Sequence, residues 1–64
     1  MRFGQNLKSA RINNGLTQIE VAKLLNISRT TYTKWETDSN EPSLASISQL
    51  VKLFGVDYNF LFSE

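Results

Sequence analysis

Sixty-four residues make one small domain, taken here as residues 1–64, and a domain of that size buries only about 60% of its unfolded surface. With no cysteine and no histidine, the chain lacks a disulfide staple, thiolate or imidazole metal ligands and a histidine base, so no metal, cofactor or enzyme activity is expected. The net charge is only +1, but it splits into +5 over residues 1–34 (six cations against Glu20) and −4 over residues 35–64 (Lys52 against five acids), a polarity that lets one side face phosphates.

The first predicted helix covers Phe3 to Asn13. Phe3, Leu7 and Ala10 recur at i, i+4 and i+7 and face a core, whereas Lys8 is exposed, either simply solvated or placed for a phosphate. Asn13-Asn14-Gly15 ends the helix, with Gly15 as a left-handed cap and Leu16 folding back onto the core. Thr17-Gln18-Ile19-Glu20 is then a capping box that opens a second helix. Val21, Ala22 and Leu25 share one face of it, while Ile19, Lys23 and Leu24 fall outside the core. Thr17 and Gln18 have a double reading. They cap the helix, and they sit at an N-terminus whose free N–H groups can receive a phosphate. Asn26 tolerates the left-handed conformation that turns a chain out of a helix, and Ser28 offers the next N-cap. A helix that stops, turns within about three residues and restarts is a helix-turn-helix, here over residues 17–36.

The restarted helix is predicted from residue 29 to about residue 37. Tyr32 and Trp35 point into the core. Thr30, Thr33, Lys34 and Thr37 lie on the opposite face, with Arg29 beside them at the first turn; none is acidic. Such a face can enter a DNA major groove, and it can equally be an ordinary solvated surface. A polar loop follows, Pro42 holds Glu41 out of helical conformation, and Ser43 caps a fourth helix whose stripe is Leu44, Ile47, Leu50, Val51 and Phe54. Gly55 ends it and Val56 packs back. Asp57 caps a short last helix. Leu61 fits the core there, but Tyr58, Phe60 and Phe62 cannot all join it.

Leu7, Arg11, Gly15-Leu16-Thr17-Gln18, Val21-Ala22, Leu25, Ile27-Ser28, Trp35-Glu36, Pro42-Ser43 and Gly55-Val56 resemble, in order and spacing, the Cro/lambda-repressor-like or XRE family of helix-turn-helix proteins. The main departure is Asn26, where that family often has glycine. The resemblance implies an all-α, compact five-helix fold and sequence-specific binding of double-stranded DNA by a transcriptional regulator, a repressor of bacterial or phage type. It implies base contacts from Arg29, Thr30, Thr33 and Lys34. Phosphate contacts are implied for Thr17, Gln18, Ser28, Thr37, Asn40 and Lys8, with backbone N–H groups of residues 37–40 preferred over their side chains. Arg11 and Glu36 are implied as a structural bridge. Tyr58 and Phe60 are implied as a homodimer contact on a palindromic operator, or they simply cap a small core. A protein-interaction module, such as an antitoxin or adaptor on the same fold, is the alternative function. No apolar run approaches the roughly 20 residues of a membrane span and no signal-peptide core is visible, so a cytoplasmic location without membrane or small-molecule partner is expected.

Overall fold

Helices form where the apolar periodicity and the capping residues put them. The computed structural model describes residues 2–64, and its elements are α1 (Phe3–Asn13), α2 (Gln18–Leu25), α3 (Arg29–Glu36), α4 (Leu44–Phe54) and α5 (Tyr58–Phe62). The fold class is therefore all-α with five helices, and there is no strand among the described residues. Four helices start on an extended residue whose side chain accepts the N–H three residues on, which satisfies one of the orphan donors of a first turn. Thr17 receives Glu20 N–H at 3.1 Å, Ser28 receives Thr31 at 3.1 Å, Ser43 receives Ser46 at 3.2 Å and Asp57 receives Phe60 at 2.8 Å. Glu20 returns the favour at Thr17 N–H, 2.8 Å, and completes the capping box.

Four helices also end alike. Gly15, Asn26, Asp38 and Gly55 all have φ between 59° and 70°. After each, the next residue donates back five positions, Leu16 to Arg11, Ile27 to Ala22, Ser39 to Lys34 and Val56 to Val51, at 2.9–3.2 Å. This is the Schellman motif, and in three of the four the residue beyond the cap is apolar and packs on the core. Asp38 is the one the sequence concealed.

Phe3, Leu7, Ala10, Val21, Ala22, Tyr32, Trp35, Ile47, Leu50, Phe54 and Leu61 form one core, with Leu16, Leu25, Ile27, Val51, Leu53 and Val56 packed against it. Tyr32 and Trp35 meet edge to face with ring centroids 5.9 Å apart, a geometry aromatic quadrupoles favour. One expected core residue is not there. Leu44 is 80% exposed, because it is the first residue of α4 and its side chain leans back past the helix end rather than onto the bundle. The stripe starts at Ile47 instead. No described helix is long and apolar enough to cross a membrane.

The close approach that locks α1 against the end of α3 depends on Gly4. A Cβ there would lie 2.7 Å from the Glu36 carbonyl carbon and 2.9 Å from Asp38 Oδ2. The absent side chain lets Gly4 N–H reach Asp38 Oδ1 at 3.0 Å, so a residue 34 positions away caps the first turn of α1. Asn6 and Asn14 reach across in the same manner. Asn6 Nδ2 donates to the Leu61 and Ser63 carbonyls at 3.1 and 2.8 Å, and Asn14 Nδ2 to the Phe54 carbonyl at 3.2 Å, tying the ends of α5 and α4 to α1.

Candidate nucleic-acid interface

The turn between α2 and α3 is short because Asn26 takes φ 59° and ψ 45° at once, which brings Ser28 directly into position as the cap of α3. Tyr32 and Trp35 anchor the inner side of α3, so its outer side is fixed in direction. There Arg29, Thr30, Thr33 and Lys34 line one shallow concavity. Arg29, Thr30 and Lys34 are exposed and Thr33 is half-buried at its base. Two long cations and two short hydroxyls with no carboxylate among them suit the mix of acceptors, amino donors and thymine methyl groups that a major groove presents.

Behind this face lies a buried polar knot. Arg11 of α1 and Glu36 of α3 are each only 9% exposed. Arg11 Nε donates to Glu36 Oε2 at 2.7 Å and Nη2 to Oε1 at 3.2 Å, a two-pronged pairing that suits a planar guanidinium; Nη1 binds the Leu16 carbonyl at 3.0 Å. Tyr32 donates its hydroxyl to Glu36 Oε2, and Gln18 Nε2 donates to Oε1 at 3.0 Å. Gln18 Oε1 in turn accepts from Thr33 at 3.1 Å. Burial pushes the Glu36 carboxyl up, but the hydrogen bonds from Arg11, Tyr32 and Gln18 together with the Arg11 charge outweigh it and hold the group below the usual carboxylate range. The bond to Glu36 holds Arg11 above its ordinary value against desolvation. Burial first, then the Glu36 carboxylate, push the Tyr32 hydroxyl far up, so it stays a donor.

The flanking groups are arranged as follows. Gln18 stands at the first turn of α2, with its side chain turned inward to Glu36 and Thr33. Thr17 is committed to the capping box, and Ser28 to Thr31 through both its roles, accepting the N–H and donating to Oγ1 at 2.9 Å. Lys8, Thr37 and Asn40 are exposed. The expectation that backbone N–H groups of residues 37–40 serve a phosphate is overturned. All four already donate into α3, to the carbonyls of Thr33, Trp35, Lys34 and again Lys34, because the Schellman exit consumes them. The Thr37 hydroxyl is engaged as well, donating to the Lys34 carbonyl at 3.3 Å and lying 2.9 Å from Ser39 Oγ, whereas the Asn40 side chain is exposed. In α5, Tyr58 and Phe60 are 46% and 37% exposed and stay outside the core, while the Phe62 ring lies 5.1 Å from that of Phe3.

Sequence reasoning missed Gly4, Asp38, Asn6 and the hydroxyl of Tyr32. A glycine inside an otherwise good helix costs stability, and that cost was the available signal for a close approach. For Tyr32 the signal was its i, i+4 spacing to Glu36.

A family model described as helix-turn-helix matches residues 7–61. The chain is 37% identical over 59 residues to the SPbeta prophage-derived uncharacterized HTH-type transcriptional regulator YonR of Bacillus subtilis, covering 92% of this chain and 55% of that one. It is 34% identical to the antitoxin PezA of Streptococcus pneumoniae serotype 4, over 88% of this chain and 35% of that protein. It is 29% identical to the cryptic phage CTXphi transcriptional repressor RstR of Vibrio cholerae, over 97% and 56%. The chain thus spans between about a third and just over half of the length of these relatives. No solved structure matches significantly. With the five helices, the four-cap architecture and a match over most of its residues, the chain belongs to the XRE-type helix-turn-helix family and has its lambda-repressor-like fold.

Proposed function

We propose that this chain binds duplex DNA sequence-specifically and takes part in transcription regulation as a repressor of bacterial or phage type. The observation that carries the reading is the acid-free outer face of α3, where Arg29, Thr30, Thr33 and Lys34 share one concavity backed by the hydrogen bonds of Gln18, Tyr32 and Arg11 to Glu36. In this reading α3 lies in the major groove. Arg29, at its first turn, pairs with the O6 and N7 of a guanine. Thr17, Ser28, Lys8, Thr37 and Asn40, with Gln18 through its main chain at the start of α2, lie along the flanking phosphates, contacts that fix register without carrying sequence information. Two copies sit on a palindromic operator, with Tyr58 and Phe60 at the two-fold contact. The relatives include both a phage repressor and a transcriptional activator, so what they support is transcription regulation in either direction.

The test is selection of binding sites from random duplex DNA, followed by titration against the selected duplex, its single-base variants and a scrambled one. Arg29→Ala is expected to cost about 1–3 kcal/mol per half-site and to relax one base pair. An equal loss on every duplex would make Arg29 a phosphate anchor. A wild type without a preferred site would turn the reading to a protein-interaction module, which the antitoxin among the relatives favours.

A further inference from the structure

Thr33 meets two demands at once. On one side it borders the concave outer face of α3 with Arg29, Thr30 and Lys34. On the other, its hydroxyl lies 3.1 Å from Oε1 of Gln18. The direction of that hydrogen bond follows from the chemistry behind it. Glu36 receives two hydrogen bonds from Arg11 and one from Tyr32 and is ionised, so its oxygens only accept. The end of Gln18 that lies 3.0 Å from Glu36 Oε1 is then its NH2 group, which turns its amide oxygen to Thr33. An amide oxygen has no proton to give. Thr33 is the donor, its only proton is spent, and what it shows the groove is lone pairs and a methyl group.

We propose that Thr33 is a reader of fixed polarity, an acceptor-only hydroxyl that selects an amino base over a keto base at one base pair per bound domain. This rests on the DNA-binding reading of α3. Adenine N6 and cytosine N4 are donors in the major groove, whereas guanine O6 and thymine O4 are acceptors. A free threonine hydroxyl serves either kind by rotating its proton. A hydroxyl already committed to Gln18 meets a keto oxygen lone pair against lone pair, and a desolvated polar group left without a partner costs more than the bond it lacks. Gln18, from α2, thereby sets what a residue of α3 reads.

The experiment titrates the chain and two variants against a duplex selected from random sequence and all its single-base variants. Thr33→Val keeps the shape and removes the lone pairs. Gln18→Met keeps the length and removes the amide oxygen, freeing the Thr33 proton. Preferences are read as affinity ratios within one variant, so a change in its folded fraction cancels. The wild type is expected to show a position where adenine and cytosine bind alike and guanine and thymine bind roughly fivefold more weakly or worse. Thr33→Val should level the four bases there, and Gln18→Met should raise guanine and thymine to match the other two. The assignment is overturned if Thr33→Val alters no ratio, if it alters only a position where the wild type prefers a keto base, or if Gln18→Met leaves the amino preference intact. A wild type that binds no selected duplex above a scrambled control overturns the DNA reading too, and that is seen before either variant is made.

Discussion

Arg11 from α1, Gln18 from α2 and Tyr32 from α3 all donate to one carboxylate, so the protonation of Glu36 bears on the packing of three helices. Removing either partner of this buried pair leaves the other charge uncompensated, and Arg11→Ala or Glu36→Ala should each cost about 3 kcal/mol or more in chemical unfolding. The pH dependence has a definite sign. The folded-state pKa of Glu36 lies below its ordinary value of 4.5, so the stabilisation is fully present above that value and is lost as pH falls through the folded-state value. The wild-type unfolding midpoint should therefore drop on acidification, and Glu36→Gln should be less stable near neutrality with a flatter acid limb. A wild type and variant with parallel acid limbs would count against Glu36 as the titrating group. Gly4 gives a second test. Gly→Ala inside a helix ordinarily stabilises by about 1 kcal/mol, but here the new Cβ meets backbone and the Asp38 carboxylate, so Gly4→Ala should destabilise by roughly 1–3 kcal/mol in thermal melts. A stabilised variant would show that α1 can back away from α3 without loss. At this scale the core was legible because helical spacing alone sorts Leu7, Val21, Tyr32 and Leu50 to the inside. The hydrogen bonds of Gly4 and Asn6 were not, because each joins residues that sequence distance hides; that of Gln18 to α3 was expected only through the family resemblance, which turns Gln18 toward that helix.

The helices themselves follow from their ends. Thr17, Ser28, Ser43 and Asp57 were readable as N-caps because the cap chemistry is local, one side-chain oxygen and an N–H three residues on. Gly15, Asn26 and Gly55 were readable as exits for the same reason. Asp38 was not, since residues 37–40 are all turn formers and local preference does not choose among them. Leu44 went wrong for a related reason, as periodicity assigns a face but not where a helix first touches its neighbours. The exits differ in what they ask of the side chain. Asn26→Ala puts a β-carbon into the left-handed region and should cost about 1–2 kcal/mol, whereas Asn26→Gly should be neutral or mildly stabilising. Asp38→Gly should behave otherwise despite its similar φ of 59°, because it also deletes the acceptor for Gly4 N–H. Urea unfolding of the three variants separates conformational ease from capping. Equal effects of glycine at both positions would mean the Asp38 carboxylate contributes nothing.

Across the whole molecule, net charge divides along the chain but exposed apolar residues do not, since Ile12, Ile19 and Leu24 are exposed in the cationic half and Leu44, Tyr58, Phe60 and Phe62 in the acidic half. The cationic surplus lies in the sequence that builds α1 to α3, while the exposed aromatics Tyr58 and Phe60 sit on α5 in the acidic half. If α5 mates two copies, Tyr58→Asp and Phe60→Asp should weaken self-association in sedimentation and operator binding together, with helicity retained. An unchanged association state would return both residues to ordinary surface. The binding that remains should fall steeply with added salt, since phosphate contacts release counterions. The exposed patch could be seen in the sequence as a surplus of aromatics over what five residues can bury; its partner could not.

The Gly4–Asp38 contact also supplies a clock. An amide in the first turn of a helix lacks an intrahelical acceptor and ordinarily trades its hydrogen with water within the fraying of that turn. Gly4 N–H is instead held by a carboxylate from beyond α3 and buried beneath the Glu36 carbonyl. Its deuterium uptake requires α1 to part from the end of α3. Site-resolved exchange at Gly4 should therefore be slow, matching core amides such as Leu7 and not its neighbour Gln5, and should accelerate in Asp38→Gly. Fast uptake at Gly4 in the wild type would mean that the two helices separate freely. Slow uptake would make this one amide a direct measure of how often the scaffold lets go of the surface it aims.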